Sequence, residues 1–210
     1  MSDPRSGKPA FELGPDGPRR LRDHLLAGSG LLERVSRECE TDILAAAGAV
    51  AQAIGSGNKL MLCGNGGSAA DSQHIAAELA SVLDPNFPRP ALAALSLVTD
   101  TSLLTASAND FGFEGVFERQ VQALGRTGDV LAAISTSGNS ENVLRAAGCA
   151  RESGIAVVGL TGESGGKLAA LSDVCIRVPS AQTQHIQEAH IAIGHAICEL
   201  VERALFPEGP

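Results

Sequence analysis

The sequence predicts an α/β fold, a three-layer sandwich around a five-stranded parallel sheet with additional helices at the N-terminus. Five short apolar segments have the composition of strands that are buried on both faces; they are KLMLCG, ALAALSL, DVLAAIST, IAVVGLTG and VCIRVP. Helical patterns separate these segments, and strands that alternate with helices form parallel sheets with right-handed crossovers. The length of 210 residues suits one such domain with its own core.

Three regions follow one another along the chain. Residues 1–18 are rich in Pro, Gly and charge, which predicts a mobile tail. Residues 19–56 are predicted to form a helical extension, whose second half carries an apolar stripe that must pack on the core or on a neighbouring subunit. Residues 57–207 form the predicted domain, whose ligands should bind at the carboxyl ends of the strands. The helices are expected at 19–38, 41–55, 68–82, 99–108, 114–124, 141–153, 166–171 and 183–205.

The composition argues against several classes of protein. A net charge of -8 and the absence of Trp and Tyr provide neither the basic surface nor the stacking platform of nucleic-acid binders. No apolar run approaches the roughly 20 residues of a membrane span, and the start of the chain lacks the apolar region of a secretory signal. The five cysteines lie far apart, and their odd number suits a disulfide framework poorly. We therefore expect a cytoplasmic protein with reduced thiols and with no nucleic-acid or membrane partner.

Two glycine-rich loops resemble nucleotide sites without completing either pattern. GNGGSA, residues 64–69, fits the loose dinucleotide pattern G-x-G-x-x-A, but the acidic residue at the expected distance, Asp84, precedes the next strand instead of ending it. TGESGGKL, residues 161–168, lacks the first glycine and the last hydroxyl of the phosphate-binding pattern G-x-x-x-x-G-K-[ST]. We therefore expect no nucleotide cofactor and interpret the second loop as a strand-to-helix turn with a solvated Lys167.

A loop rich in hydroxyl groups, ISTSGNSENV, follows the third predicted strand. Ser135, Thr136, Ser137 and Ser140 provide four hydroxyls within six residues, and Gly138 lets the backbone approach a ligand closely. Because the next helix begins here, its free N–H groups and dipole favour an anion, so the loop can hold a phosphate without Lys or Arg. The alternative is that Ser140 only caps the helix and the other hydroxyls line a turn.

Four segments in this order resemble the sugar isomerase (SIS) domain and, within it, the phosphoheptose isomerases: CGNGGSAADSQHIAAEL, ANDFGF, STSGNS and RVPSAQTQHIQEAHIAIGHAICELVE. The resemblance runs from about residue 35 to 207. It implies a sheet of the flavodoxin-like nucleotide-binding type and conversion of sedoheptulose 7-phosphate to D-glycero-D-manno-heptose 7-phosphate through an enediol. That reaction begins the biosynthesis of nucleotide-activated heptose, a lipopolysaccharide precursor. It also implies a homotetramer with sites at subunit interfaces.

The resemblance assigns a metal and catalytic set to two helices. His74 and Glu78 are four residues apart and share one helical face, and Gln187 and His195 lie a little over two turns apart on the last helix. Two imidazoles, a carboxylate and an amide oxygen can form a mixed shell for one zinc ion per site. Taken alone, such a His is more often a hydrogen-bonded helix residue, and such a Glu a solvated charge.

The resemblance also implies a role for each group. Glu78 is the base that carries the proton, and His195 is the acid that serves the oxygens. The hydroxyl-rich loop binds the substrate phosphate, and a further group of residues orients the sugar: Asn65, Gly66, Gly67, Asn109, Asp110 and Gln187. His185 is interpreted as a helix-start residue. His190 is interpreted either as a neighbour of the site or as a buried polar residue.

Two departures from the family pattern leave the substrate open. Val82 stands where many relatives carry Arg, and the segment 84–90 is longer than usual. An isomerase for another sugar phosphate is therefore one alternative. The other is a non-catalytic SIS adaptor that binds a replication initiator, although such adaptors lack the residues that match Glu78 and His195.

Overall fold

A computed structural model describes residues 14–207. Its strands are β1 (Leu60–Gly64), β2 (Ala94–Ser96), β3 (Val130–Ile134), β4 (Ala156–Thr161) and β5 (Val174–Arg177). Its helices are α1 (Gly17–Glu38), α2 (Glu40–Gly55), α3 (Gly67–Ala80), α4 (Thr101–Phe111), α5 (Glu118–Leu124), α6 (Glu141–Glu152), α7 (Leu168–Leu171) and α8 (Thr183–Leu205), with a 3-10 helix at Phe113–Gly115. Residues 1–13 of the predicted tail lie outside the described residues, and its last two residues belong to α1.

The five strands form one sheet in the order β2-β1-β3-β4-β5, and every neighbouring pair is parallel. This confirms the predicted fold class. The register places Gly64 at the end of β1 beside Ile134 at the end of β3. The loops that leave these two strands therefore start side by side at the carboxyl edge of the sheet.

Alternate strand residues face two separate cores, as the period of two in a strand requires. Leu60 and Leu62 pack with α1, α2, α3 and α8 on one face, whereas Met61 and Cys63 pack with α5, α6 and α7 on the other. Each strand is thus covered on both sides, which explains the nearly continuous apolar composition. A fully buried side chain such as Met61 contributes about 2 kcal/mol by leaving water.

The two N-terminal helices pack differently. α2 lies against α8, and its stripe enters the first core through Ala46, Ala47, Val50 and Ala53. α1 buries only Leu31 and Val35 toward its C-terminal end. In its N-terminal half, large apolar side chains face outward, with exposed fractions of 61% for Leu21, 61% for Leu25 and 70% for Leu26.

Several predicted boundaries differ from the structure for local reasons. β2 is an edge strand that pairs with β1 alone, and it is only three residues long because flanking apolar residues such as Leu92 pack in the core without pairing in the sheet. The predicted helix 114–124 divides into the 3-10 helix and α5. The predicted helix 166–171 begins only at Leu168, because Gly165 and Gly166 have φ angles of 72° and 54°, outside the helical region.

All five cysteines are free, and Cys39, Cys63 and Cys198 are buried. Burial raises the pKa of the Cys63 thiol to about 12. Within residues 14–207, none of the helices combines the length and the apolar character needed to cross a membrane.

Candidate active site

The candidate site begins where α3 leaves β1. Gly64 lies so close to Ser68 that an added Cβ would stand 2.7 Å from the serine Cβ. Gly66 has a φ of 58°, and an added Cβ on Gly67 would meet the Gln187 side chain at 2.6 Å. The glycines therefore allow a tight turn, and they let the amide of Gln187 on α8 rest against the start of α3.

Three of the four residues predicted to bind metal come together between α3 and α8. The Nε2 atoms of His74 and His195 are 2.8 Å apart, and Nε2 of His74 is 3.3 Å from a Glu78 oxygen. One possible ligand atom from each residue lies within 4.8 Å of the others. The two imidazoles meet edge to face with their centroids 5.0 Å apart.

The close approach of the two helices depends on Gly194. A Cβ at this position would overlap the Ile75 side chain, which is adjacent to His74 on α3. Ile75 thus fills the space that Gly194 leaves beside His195. Glu78 is 20% exposed in its side chain and His74 is 49% exposed, so the group opens toward solvent. Gln187 lies about two turns away on α8 and forms no hydrogen bond with the other three residues.

The hydroxyl-rich loop is held by its own contacts and by the next loop along the sheet. The Ser135 and Ser140 hydroxyls are 3.1 Å apart, and Ser140 precedes α6 without accepting a hydrogen bond from its first turn. The simple capping role is therefore absent. Gly138 has a φ of 65°, and its carbonyl accepts a 3.0 Å hydrogen bond from the amide of Leu168. The TGESGGKL segment thus braces this loop, and Lys167 is exposed as predicted.

Paired amides connect the two loops. Asn65 and Asn142 exchange two side-chain hydrogen bonds of 2.9 Å each, which join the glycine turn after β1 to the first turn of α6. Thr136 and Ser137 line a neighbouring hollow of about 210 Å³ near the start of α8. The loop predicted to bind phosphate and the cluster of His74, Glu78 and His195 therefore lie at the same edge of the sheet, but the cluster does not line this hollow.

The predicted hydroxyl-binding pair lies on a helix. The helix predicted at 99–108 leaves Asn109 and Asp110 outside it, but they form the last turn of α4, which Gly112 ends with a φ of 80°. Both side chains are exposed, and the Asn109 amide donates a 2.8 Å hydrogen bond to Asp110. Within one chain they contact none of the other predicted site residues through hydrogen bonds.

Comparisons with known proteins agree with this architecture. The sequence model of the SIS domain matches residues 25–162. A phosphoheptose isomerase of Rhodospirillum rubrum is 57% identical over 169 residues, which cover 80% of this chain and 88% of the relative. One from Akkermansia muciniphila is 51% identical over 182 residues, covering 87% and 89%. The chain belongs to the phosphoheptose isomerase family of SIS-domain proteins.

Solved structures from this family have the same fold. The phosphoheptose isomerase of Neisseria gonorrhoeae matches with a TM-score of 0.82 at 43% identity, covering 88% of this chain and 97% of the other. The phosphoheptose isomerase of Francisella tularensis matches with a TM-score of 0.84 at 33% identity, covering 89% and 98%. The resemblance found in the sequence is thereby confirmed at the level of the family.

The structure of this phosphoheptose isomerase family member adds a contact that the sequence did not indicate. Arg89 fills the space at the end of α3 and forms an ion pair with Glu202 at 2.6 Å, and the two side chains are 0% and 3% exposed. Its guanidinium also donates to the carbonyls of Glu78 at 2.8 Å and of Leu79 at 2.7 Å. Arg89 thus binds the unpaired carbonyls at the end of the helix that carries Glu78. Arg89 lies in a proline-rich segment, and nothing in the sequence around it indicated that it binds the end of α3.

Two further polar residues, one on α3 and one on α8, are partly or fully buried near this cluster. Asp71 and His190 both line a small cavity of about 30 Å³ whose walls are otherwise apolar. Burial raises the pKa of Asp71, and the nearby His74 opposes that change. His190 is 1% exposed and binds the carbonyl of Thr161 at 3.2 Å, and burial lowers its pKa to about 4. His190 is therefore a neutral buried residue, the second of its two interpretations.

Proposed function

We propose that this protein isomerises sedoheptulose 7-phosphate to D-glycero-D-manno-heptose 7-phosphate. The observation that carries the proposal is the meeting of His74, Glu78 and His195 between two facing helices. It occurs in a chain more than half identical to a phosphoheptose isomerase. The reaction belongs to heptose biosynthesis in the cytoplasm, and we place its product on the route to lipopolysaccharide.

The chemistry follows from the two kinds of group in the cluster. Exchange of a ketose and an aldose moves one proton between C1 and C2 while the carbonyl changes place. Glu78 takes this proton from one carbon and returns it to the other, because its carboxylate is partly shielded and lies on the rigid face of α3. His195 donates to the carbonyl oxygen and withdraws a proton from the neighbouring hydroxyl. Its Nε2 atom lies 2.8 Å from Nε2 of His74, so both rings face the same space between α3 and α8.

The substrate phosphate binds the loop after β3. Ser135, Thr136, Ser137 and Ser140 provide hydroxyls, and the uncapped start of α6 provides N–H groups and a favourable dipole. The sugar then extends from this loop toward α3. Residues of the two neighbouring turns orient its hydroxyls, and orientation lowers the barrier by restricting unproductive poses; they are Asn65, Gly66, Gly67, Asn109, Asp110 and Gln187.

The residues present fit one zinc ion per site. His74, Glu78 and His195 supply two nitrogen ligands and one oxygen ligand, and Gln187 supplies an amide oxygen from the same helix as His195. Around zinc, neighbouring ligand atoms lie about 3.4 Å apart, since the bonds are about 2.1 Å long. The 2.8 Å and 3.3 Å separations here need to widen only slightly. Zinc would polarise the substrate carbonyl and stabilise negative charge on its oxygen.

We also propose a homotetramer whose sites lie between subunits. Two observations support it. Leu21, Leu25 and Leu26 form an exposed apolar surface on α1, of the kind that a subunit contact covers. Phe111 is 55% exposed and directly follows Asn109 and Asp110, whose side chains form no hydrogen bond with another site residue within the described chain. Light scattering that shows an active monomer would contradict the shared site.

The decisive experiment is an assay of the purified protein with sedoheptulose 7-phosphate, with and without a chelator and added zinc. We expect turnover that the chelator removes and zinc restores. Glu78→Gln should remove activity while leaving the fold intact, because it keeps the volume and removes the base. His195→Ala should lower activity and zinc content together, whereas Ser137→Ala should mainly raise KM.

Three outcomes would contradict parts of the proposal. A folded protein that is inactive with every metal would favour the adaptor or another sugar phosphate, and assays of other sugar phosphates would separate these two. More than a few per cent of activity in Glu78→Gln would mean that another group transfers the proton. A loss of zinc in Ser137→Ala would mean that the phosphate and metal positions are not separate.

A further inference from the structure

A second cluster of possible metal ligands joins α1 to the start of α8. Nε2 of His24 lies 2.9 Å from one oxygen of Glu188, and Nδ1 of His185 lies 2.7 Å from the other. The two imidazoles stack at a centroid distance of 4.5 Å with a tilt of 32°. One possible ligand atom from each of the three residues lies within 4.8 Å of the others. None of these residues belongs to the proposed isomerase site.

The chemistry of this cluster suits a transition metal. Two imidazole nitrogens and one carboxylate oxygen are a ligand set that zinc uses when water completes its coordination. His185 is 7% exposed, whereas His24 and Glu188 are 42% and 44% exposed. One ligand is therefore fixed in the protein, and the other two border solvent, from which an ion and its waters can enter. Among the described residues, Glu188 forms ion pairs with these two histidines and with no Lys or Arg.

The backbone of α1 is shaped to accommodate this cluster. Gly28 faces it one turn after His24, and an added Cβ there would stand 3.0 Å from Glu188 and 3.7 Å from Nδ1 of His185. A glycine within a helix costs about 1 kcal/mol relative to alanine. Here it leaves the room that lets α1 approach the carboxylate and the buried ring.

We propose that His24, His185 and Glu188 bind a divalent transition-metal ion, with zinc as the representative ion, and that this ion ties α1 to α8. The bond lengths of zinc would move the ligand atoms from 2.7–2.9 Å to about 3.4 Å apart. Small rotations of the exposed His24 and Glu188 side chains provide this change. The site is separate from the His74 cluster and does not depend on the proposed reaction.

An ion bound at this site would restrain the N-terminal end of α8, the helix that also carries His195. Glu188 directly follows Gln187, and consecutive residues of an α-helix point about 100° apart. Gln187 rests against the start of α3, while Glu188 faces α1. An ion held by Glu188 therefore restricts the rotation of α8 at the turn that also positions Gln187.

The test measures zinc itself, without substrate. Metal-free protein is titrated with zinc chloride by calorimetry, and bound metal is counted by elemental analysis after gel filtration. The variants are His24→Ala and Glu188→Gln for this cluster, with His74→Ala as the matched control for the other. Hydrogen–deuterium exchange of α1 is followed with and without zinc. Cobalt(II) absorption then reports whether nitrogen and oxygen ligands surround the ion.

We expect His24→Ala and Glu188→Gln each to lose one zinc equivalent that His74→Ala retains. Zinc should slow exchange in α1 of the wild type and of His74→Ala, but not in His24→Ala. Far-ultraviolet circular dichroism of the metal-free variants verifies that they remain folded. Equal zinc content in wild type and His24→Ala would overturn the proposal. Glu188 would then only form hydrogen bonds with the two histidines. If the His74 cluster binds no zinc, the equivalent lost in His24→Ala remains measurable.

Discussion

Replacement of Arg89 by Met isolates the buried charge at the end of α3. Methionine keeps most of the volume of the arginine stem and removes the guanidinium. The ion pair with Glu202 disappears, together with hydrogen bonds to four carbonyls, those of Glu78, Leu79, Ser81 and Pro90. Glu202 would then retain a nearly inaccessible carboxylate whose remaining partner is the amide of Leu83 at 3.3 Å.

The expected loss of unfolding free energy follows from these contacts. Removing one partner of a buried ion pair costs about 3–5 kcal/mol, because the other charge stays in a poorly solvated place. The carbonyl of Glu78 adds about 1 kcal/mol if water does not replace the arginine, whereas the carbonyl of Leu79 keeps a hydrogen bond from the amide of Leu92. A domain is stable by about 5–15 kcal/mol in total. Arg89→Met should therefore be among the most damaging single substitutions outside the apolar cores.

Urea unfolding at a fixed protein concentration measures this effect. The signal should be far-ultraviolet circular dichroism, because the chain has no Trp and no Tyr for fluorescence. Glu202→Gln serves as the milder partner variant. The double variant Arg89→Met, Glu202→Leu removes both charges, so we expect it to regain most of the loss, apart from the hydrogen bonds that Arg89 donates to carbonyls.

Two results would refute this reasoning. A loss of less than about 1 kcal/mol of unfolding free energy in Arg89→Met would mean that the Glu202 carboxylate is solvated or neutralised at little cost in the variant. A double variant no more stable than Arg89→Met would mean that the cost comes from the helix end and not from the unpaired carboxylate of Glu202.

Three other predictions concern separate parts of the molecule. The folded pKa of His190 is about 4, so between about pH 6.5 and 4 the unfolded chain binds a proton at this residue that the folded chain does not. The free energy of unfolding should therefore fall by up to about 3 kcal/mol as the pH falls through this range. Urea unfolding of His190→Leu should depend less on pH than that of the wild type, and an equal dependence would contradict this. Gly138→Ala should lower the unfolding midpoint by about 4 °C or more, because φ is 65° and the new Cβ would overlap the carbonyl oxygen of Gly165. Gly148→Ala, whose Cβ meets nothing within 4 Å, is the matched control in calorimetry and should stabilise α6 slightly; equal midpoints would refute the overlap. Buried Cys63, with a thiol pKa of about 12, should react with iodoacetamide only after unfolding, and rapid labelling of native protein detected by mass spectrometry would count against its burial.

The sequence was informative where local pattern and burial agree. Strands covered on both faces must be apolar at every position, so β1, β3 and β4 are visible as continuous runs. β2 was predicted too long, since its flanking apolar residues, such as Leu92, serve the core without pairing in the sheet. The helix predicted at 99–108 ended too early to include Asn109 and Asp110, because the glycine that ends α4 comes two residues after Asp110.

The cluster of His74, Glu78 and His195 was predicted only through the resemblance, whereas the hydroxyl-rich loop was predicted from its own residues. His74 and His195 are 121 residues apart, and no local periodicity indicates that their rings meet. The buried partner of Arg89 is 113 residues away, and its role becomes visible only after α3 and α8 are packed. Residues that act through tertiary contacts of this kind leave no mark on spacing or hydropathy.

Helix α8 carries side chains toward four different neighbours. Gln187 meets α3, Glu188 meets α1, His190 reaches the end of β4, His195 returns to α3, and Glu202 meets Arg89. A single inserted residue would turn everything after it by about 100° and shift it by about 1.5 Å. No local adjustment could restore all of these contacts together. Length variation among relatives of this chain should therefore fall outside α8, which keeps its length.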